Sequence, residues 1–251
     1  MITELLDIAR RAGEAILDIY TTADFGVEMK SDDSPLTLAD QASNAVICDG
    51  LAKLSIQYPI LSEENKLIEY SERKDYARYW CVDPLDGTKE FIKKNGEFTV
   101  NIALIEGGRS ILGVVYIPVT DEMYWAEKGS GAYKQVGADE PVTIHTANYS
   151  DSDKGLVLVC SRSHLNEATA AFLEKYQEPQ TLSRGSSLKF LSIAEGDAHI
   201  YPRLAPTMEW DTAAAQIVLE EAGGSVTQYG TDDPVVYNKE NLLNPHFVAR
   251  G

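Results

Sequence analysis

Cysteine, histidine and basic charge are all in short supply in this chain, and each shortage removes a class of function. The three cysteines, Cys48, Cys81 and Cys160, are widely scattered. They form neither a disulfide framework nor the paired spacing of a zinc site, and they predict free thiols in a reducing cytoplasm. Of the four histidines, His145, His199 and His246 show no metal-ligand spacing. Lysine and arginine number 22 against 39 aspartates and glutamates, for a formal net charge of −17. Sequence-independent binding to a nucleic acid polymer or to anionic lipid rewards basic surfaces, so both are disfavoured. No apolar run is long enough to span a bilayer. The opening Met1-Ile-Thr-Glu-Leu-Leu-Asp-Ile-Ala-Arg10 mixes acids into its apolar residues and has no basic lead, so it does not read as a signal peptide. Internal repeats and low-complexity tracts are also missing.

What is present suits a folded enzyme-sized body. The 251 residues, 44% hydrophobic and 24% charged, can bury a substantial core as one large domain or two linked lobes. Leu5, Leu6, Ile8, Ala9, Ala12, Ile16, Ile19 and Tyr20 recur at helical spacing, which predicts an opening amphipathic helix. A polar loop follows at 31–37, then a helix over 39–54 and a short strand over 57–62. Short β-rich runs at 98–105, 111–116, 122–126 and 131–135 are separated by turn residues and predict an antiparallel meander. The polar stretch Asn148-Tyr-Ser-Asp-Ser-Asp-Lys-Gly155 is the expected boundary between an N-terminal lobe, 1–150, and a C-terminal lobe, 151–251. Beyond it strands and helices alternate: strand 156–160, helix 167–176, helix 186–195, strand 198–201 and helix 211–222. That rhythm predicts an α/β lobe after an α+β one.

The most informative segment is Trp80-Cys-Val-Asp-Pro-Leu-Asp-Gly-Thr88. An apolar strand ends in two carboxylates, Asp83 and Asp86, separated by a proline. Pro84 disfavours helix at Asp83, so a turn is expected there, with a helix able to start only after Asp86. Gly87 allows close backbone approach, and the amides beyond it suit an anion. Carboxylates beside anion-binding amides point to hard divalent cations clamped against a phosphate. Bound cations would also answer the puzzle of so acidic a protein taking a phosphate ligand. Asp40, Glu63 and Asp211 are further acids where a strand or loop ends. Asp211 precedes Thr-Ala-Ala-Ala-Gln-Ile and is expected as a helix N-cap, where the dipole favours its ionised form. Taken singly, Asp211 and Asp40 are ordinary caps, Glu63-Glu64 is solvated surface, and Asp-x-x-Asp-Gly-Thr is only moderately specific, since Asp and Gly crowd ordinary turns.

Together they carry more. The chain resembles the lithium-sensitive, magnesium-dependent phosphomonoesterases that include inositol monophosphatase. The resemblance rests on Ser62-Glu63-Glu64, on the Trp80 block, on Trp210-Asp211-Thr212-Ala213-Ala214 and on the Ser-Pro-x-Thr-x-Ala-Asp pattern ending at Asp40. It covers essentially the whole chain. It implies a five-layer α-β-α-β-α sandwich, with two or three magnesium ions held by the carboxylates of Glu63, Asp83, Asp86 and Asp211 and the Leu85 carbonyl. Asp40 would hold water in the same shell, and Asp40 with Thr88 would relay a proton from the attacking water. Read for itself, Thr88 could equally cap a helix.

Further stretches narrow the resemblance. Asp86-Gly-Thr-Lys-Glu-Phe-Ile92, Asn95-Gly-Glu-Phe-Thr-Val-Asn101, Ser161-Arg-Ser-His164, Gly185-Ser-Ser-Leu-Lys-Phe190 and Tyr201-Pro-Arg203 are similar to the bacterial 3'(2'),5'-bisphosphate nucleotidases. That branch cleaves adenosine 3',5'-bisphosphate, a by-product of sulfate activation, to AMP and phosphate. By this likeness Gly87, Thr88, Ser161, His164, Gly185, Lys189 and Asp211 would contact substrate, with a helix N-terminus and Lys189 serving the second phosphate. Trp80 and Trp210 are expected to pack beside the site and not to stack a base. The resemblance also leaves open cleavage of the sulfated relative of the substrate, a monomer or a homodimer, and peripheral attachment to the inner membrane of an otherwise cytosolic protein. Rival readings are an inositol or fructose-1,6-bisphosphate phosphatase of the same chemistry and a non-catalytic magnesium- or nucleotide-binding module.

Overall fold

The computed structural model describes residues 1–21, 26, 28, 29, 35–161 and 166–251. Helix α1 (Ile2–Tyr20) buries Leu5, Ile8, Ala9, Ala12 and Ile16, the stripe that their three- and four-residue spacing predicts. A two-residue pair, β1 (Glu28–Met29) and β2 (Pro35–Leu36), leads into α2 (Leu38–Ala52), which lies along α1. Next come β3 (Ile60–Ser62), the short α3 (Tyr70–Arg73), β4 (Arg78–Asp86) and the five-residue α4 (Thr88–Ile92). The meander follows as β5 (Thr99–Glu106), β6 (Arg109–Ile117), β7 (Glu122–Glu127), β8 (Ala132–Val136) and β9 (Val142–Ile144). These strands form a seven-stranded sheet in chain order from β3 to β9, antiparallel except for the β3–β4 pair.

The rest of the chain builds a second sheet. Its elements are β10 (Val157–Ser161), α5 (Glu167–Leu173), β11 (Gln180–Arg184), α6 (Leu188–Ala194), β12 (Ile200–Arg203), α7 (Ala213–Glu221), β13 (Ser225–Gln228) and β14 (Phe247–Arg250). The order is β11-β10-β12-β14-β13, parallel around β10 and antiparallel around β14. The alternating rhythm beyond residue 155 predicts the parallel part. It gives no hint of β13 and β14, because those strands are four residues each and flank a long turn-rich segment.

Three apolar clusters define the layering. One joins α1 and α2 to Trp80, Val82, Ile102, Leu104 and Val114 on one face of the first sheet. Another joins the opposite face, through Tyr79, Cys81, Ala103 and Val115, to α6 and α7 and then to Val159, Tyr201 and Phe247 of the second sheet. The third packs Phe172 of α5 on Leu158, Ile200 and Val248. The result is the α-β-α-β-α stack. Gly113 makes the middle tight, since a Cβ there would strike the Ala214 carbonyl of α7. The first sheet draws on residues 60–144 and the second on 157–250, while α6 and α7 pack between them. Among the described residues no helix is long and apolar enough to cross a membrane.

Candidate active site

β4 does not turn at Asp83, as its proline suggests, but runs on to Asp86. Its pairing with β5 instead slips by one residue: Asp83 lies opposite Asn101, yet Asp86 lies opposite Thr99. Side chains three apart on a regular strand point to opposite faces, and one extra residue cancels that alternation. Pro84, which has no N–H to give the ladder, sits within this bulge. The proline thus brings Asp83 and Asp86 together by a bulge and not by a turn. Ser43 Oγ braces the kink by donating to the Pro84 carbonyl at 2.7 Å, and Leu85 N donates to Asp83 Oδ1 at 3.0 Å.

Oxygens of Glu63, Asp83 and Asp211 lie within 4.8 Å of one another. Glu63 arrives at the end of β3, its N–H bonded to the Val82 carbonyl at 3.1 Å. Asp211 comes from the far side of the core. It is not the N-cap of α7, a position held by Thr212, but the last residue of a 3-10 turn, Glu209–Asp211. Its Oδ2 reaches back to accept from Met208 N at 2.9 Å. The carboxylate is therefore aimed at the cavity and away from the helix it precedes.

Burial, with repulsion from Asp86 and Glu63, pushes Asp211 up to about 8. Burial also drives Asp83 well above the usual carboxylate range, and the charges of Glu63, Asp86, Asp211 and Asp40 add to the effect. Three or more acids forced together in a closed space demand a counter-charge. An all-oxygen set of this kind suits a hard dication such as magnesium or calcium, so these residues fit the expected metal.

Asp86 stands beside this trio with one oxygen engaged: its Oδ2 accepts from Ser186 Oγ at 2.6 Å and Ser187 Oγ at 3.2 Å. Thr88 Oγ1 donates toward Asp40 Oδ1 at 3.2 Å, with the Leu85 carbonyl at 3.4 Å as its other acceptor. Thr88 is the first residue of α4 and does not cap it; Gly87 holds that position at φ 99°. A Cβ on Gly87 would sit 3.0 Å from the Glu97 carbonyl, so both conformation and space require glycine there. Asp40 lies in the first turn of α2. Its Oδ2 accepts from Thr37 N at 2.7 Å and Thr37 Oγ1 at 2.6 Å, which fixes the carboxylate firmly.

Two cavities meet here. The larger, about 490 Å³, is lined by Glu63, Asp83, Leu85, Thr88, Met208 and Leu243 among others. The smaller, about 150 Å³, is lined by Lys89, Arg184, Lys189 and Arg203, with Gly185 and Ser186. They share Asp86, Gly87, Lys89, Glu90, Thr207 and Asp211. Lys189 is buried, its Nζ donating to the Ser186 carbonyl at 2.6 Å, and burial lowers it to about 8 despite nearby Asp86. Arg203 keeps a buried Nε without a partner while its Nη2 donates to Pro206 O at 2.7 Å. Arg184, Arg203, Ser186 and Ser187 escaped the sequence reading as site residues. The signal available was the clustering of cations around Gly185 and at the end of strand 200–203. Ser161 ends β10, but its side chain and all of His164 lie outside the described residues, as does Ser34. Trp80 is fully buried in the core, whereas Trp210 borders the larger cavity.

With this geometry in view, comparison with known proteins decides the family. The model of the inositol monophosphatase family matches residues 1–249. This chain belongs to that family. It is 45% identical over 249 residues to the 3'(2'),5'-bisphosphate nucleotidase CysQ of Escherichia coli K12, covering 98% of each chain. The crystal structure of CysQ from Bacteroides thetaiotaomicron superposes with a TM-score of 0.86 at 43% identity, covering 99% of this chain and 96% of that one. An inositol monophosphatase from Anabaena superposes with a TM-score of 0.73 at 27% identity, over 99% of this chain and 88% of its own. The stacked fold expected from the sequence is therefore the fold of the family.

Proposed function

We propose that the protein is a magnesium-dependent 3'(2'),5'-bisphosphate nucleotidase that removes the 3'-phosphate of adenosine 3',5'-bisphosphate, releasing AMP and phosphate. One observation carries this reading: an acidic corner and a four-cation pocket open into each other across Asp86, Gly87 and Asp211. A ligand with a single phosphate needs only the acidic corner and its metal. A pocket of four cations alongside it suits a second anionic group on the same molecule. The strong likeness to proteins named as CysQ nucleotidases supports the same assignment.

Glu63, Asp83, Asp86, Asp211 and the Leu85 carbonyl would hold two or three magnesium ions. When bound, the ions activate water and offset charge on the phosphoryl and leaving oxygens. The protein's own part begins with Asp40, whose position the Thr37 bonds fix. Its Oδ1 can take the proton that Thr88 donates, freeing the Thr88 oxygen to accept one from water. An alcohol alone is too weak a base for this step, so the pair acts together. Gly87 admits the phosphate close to the backbone. Lys189, Arg203, Gly185 and Ser186 would take the 5'-phosphate and its ribose, and Ser161 and His164 the nucleoside. No covalent phosphoenzyme is required. We place the reaction in the cytosol, on a small nucleotide and not a nucleic acid polymer.

The test offers purified protein with magnesium three substrates: adenosine 3',5'-bisphosphate, inositol 1-phosphate and fructose 1,6-bisphosphate. Fastest phosphate release is expected from the nucleotide. A preference for either sugar compound would overturn the substrate assignment, and no release from any would favour a binding module.

A further inference from the structure

Thr99 and Asn101 are polar residues buried to 0% and 1% exposure on β5, and neither lines the two cavities. On a strand whose other buried positions are apolar, two such residues at i and i+2 share one face and need a reason to be polar. Asn101 Nδ2 donates to Ser187 Oγ at 3.0 Å. That hydroxyl lies 3.2 Å from Asp86 Oδ2 and 3.2 Å from the Asp211 carbonyl. Thr99 Oγ1 lies 2.7 Å from Ser186 Oγ, which donates to the same Asp86 oxygen at 2.6 Å. Both serines thus receive support from β5 and direct their own protons toward the site.

We propose that Asn101 and Ser187 are positioning residues for the cation site, clasping Asp86 of the first sheet to the turn that carries Asp211. Ser187 has one proton and two acceptors, Asp86 at the end of β4 in the first sheet and Asp211 in the turn that leads into α7 of the middle layer. Asn101 occupies a lone pair of the hydroxyl and so holds the oxygen where it reaches both. The short bond from Ser186 Oγ, with the shared proton of Ser187, orients Asp86 through Oδ2 and would leave Oδ1 for the cation. The register completes the clasp, because Asn101 and Thr99 lie directly opposite Asp83 and Asp86. Partners behind a metal ligand commonly set affinity by holding the ligand's orientation.

This inference rests on the cation part of the proposed function and not on the nucleotide part. Magnesium is titrated calorimetrically into metal-free protein with no nucleotide present, for the parent, Ser187→Ala, Asn101→Ala and the double variant. Each single change is expected to weaken magnesium about tenfold or more. The double variant should be no weaker than the weaker single one, because the two residues act as one unit. An affinity within twofold of the parent in Ser187→Ala, or losses that multiply in the double variant, overturns the clasp. A merely structural role would lower the metal-free Tm and leave the isotherm unmoved. Should Ser187→Ala not fold, Asn101→Ala decides by the same twofold criterion. Intact magnesium binding without nucleotidase activity would sink the substrate assignment and leave this inference standing.

Discussion

The acidic corner and the cationic pocket are neighbours that share six lining residues, yet they are built on opposite principles. In the corner, burial together with the mutual repulsion of the acids raises Asp83 and Asp211 above the usual carboxylate range, and Glu63 lies against both. In the pocket, burial strips Lys189 of part of its basicity, and Arg203 leaves a donor unsatisfied. Each region is unsatisfied by itself, in opposite senses. A substrate with two phosphates, arriving with dications, would satisfy both. A protein of net charge −17 could then receive a polyanion, because bound dications would reverse the sign of the field at the site.

The contrast breaks most sharply at Asp83. Asp83→Asn keeps the oxygen that accepts from Leu85 N but removes the charge. Phosphate release at saturating nucleotide should fall about 10³-fold or more, given that a catalytic dication is worth several kcal/mol. The same change should raise the metal-free Tm, because it relieves a buried repulsion. A loss of both activity and metal-free Tm would mean that Asp83 is a structural acid. Asp86→Asn should likewise abolish activity at ordinary magnesium, and full activity there would remove Asp86 from the metal set.

Thr88→Val comes next. Without the hydroxyl, kcat should drop about 10²-fold or more, the range for a lost proton relay. Magnesium affinity should remain within about twofold, because Thr88 would hold water and not metal. Near-parent kcat would remove the Thr88–Asp40 relay. On the cationic side, Arg203→Met should raise KM for adenosine 3',5'-bisphosphate about 10–100-fold, the value of one charge-assisted contact. Hydrolysis of a substrate with one phosphate, such as 3'-AMP, should change little. Equal losses on both substrates would show that Arg203 serves the fold and not the second phosphate.

The sequence shows more of the acidic corner than of the pocket, and the reason is physical. Asp83, Asp86 and Asp211 stand in short motifs beside Pro84, Gly87 and Trp210, and Pro84 and Gly87 constrain the backbone locally. Helix and strand periodicity likewise reveals α1, α2 and the meander, whose partners are adjacent in the chain. The pocket draws on separated segments. Arg184 ends β11, Lys189 is the second residue of α6 and Arg203 ends β12, and only the parallel pairing around β10 brings these together. The bulge at Asp83–Asp86 is hidden for a related reason: a proline in a strand predicts an interruption, while register with β5 decides its form. The direction of Asp211 is hidden too. A lone Asp before an Ala-rich helix reads as a cap, and only the Met208 bond turns it into the cavity.

The smallest effect probes the electrostatic debt of the corner directly, in thermal stability without metal. Asp83 and Asp211 are raised in the folded state above the ordinary carboxylate value of about 3.9. Between that value and about 8 the folded chain holds more protons than the unfolded chain, so stability falls as pH rises through this window. Lys189, lowered to about 8, acts oppositely but only above that pH, where the unfolded chain keeps its proton longer. Metal-free Tm should therefore decline from pH 5 to pH 8, by several degrees if the net cost is about 1–2 kcal/mol. Asp83→Asn should flatten the decline. Magnesium, which binds deprotonated carboxylates, should raise Tm more at pH 8 than at pH 5. A Tm gain from magnesium that is equal at both pH values would show that the ions do not meet these acids, and the acidic corner would then differ from the pocket only in sign.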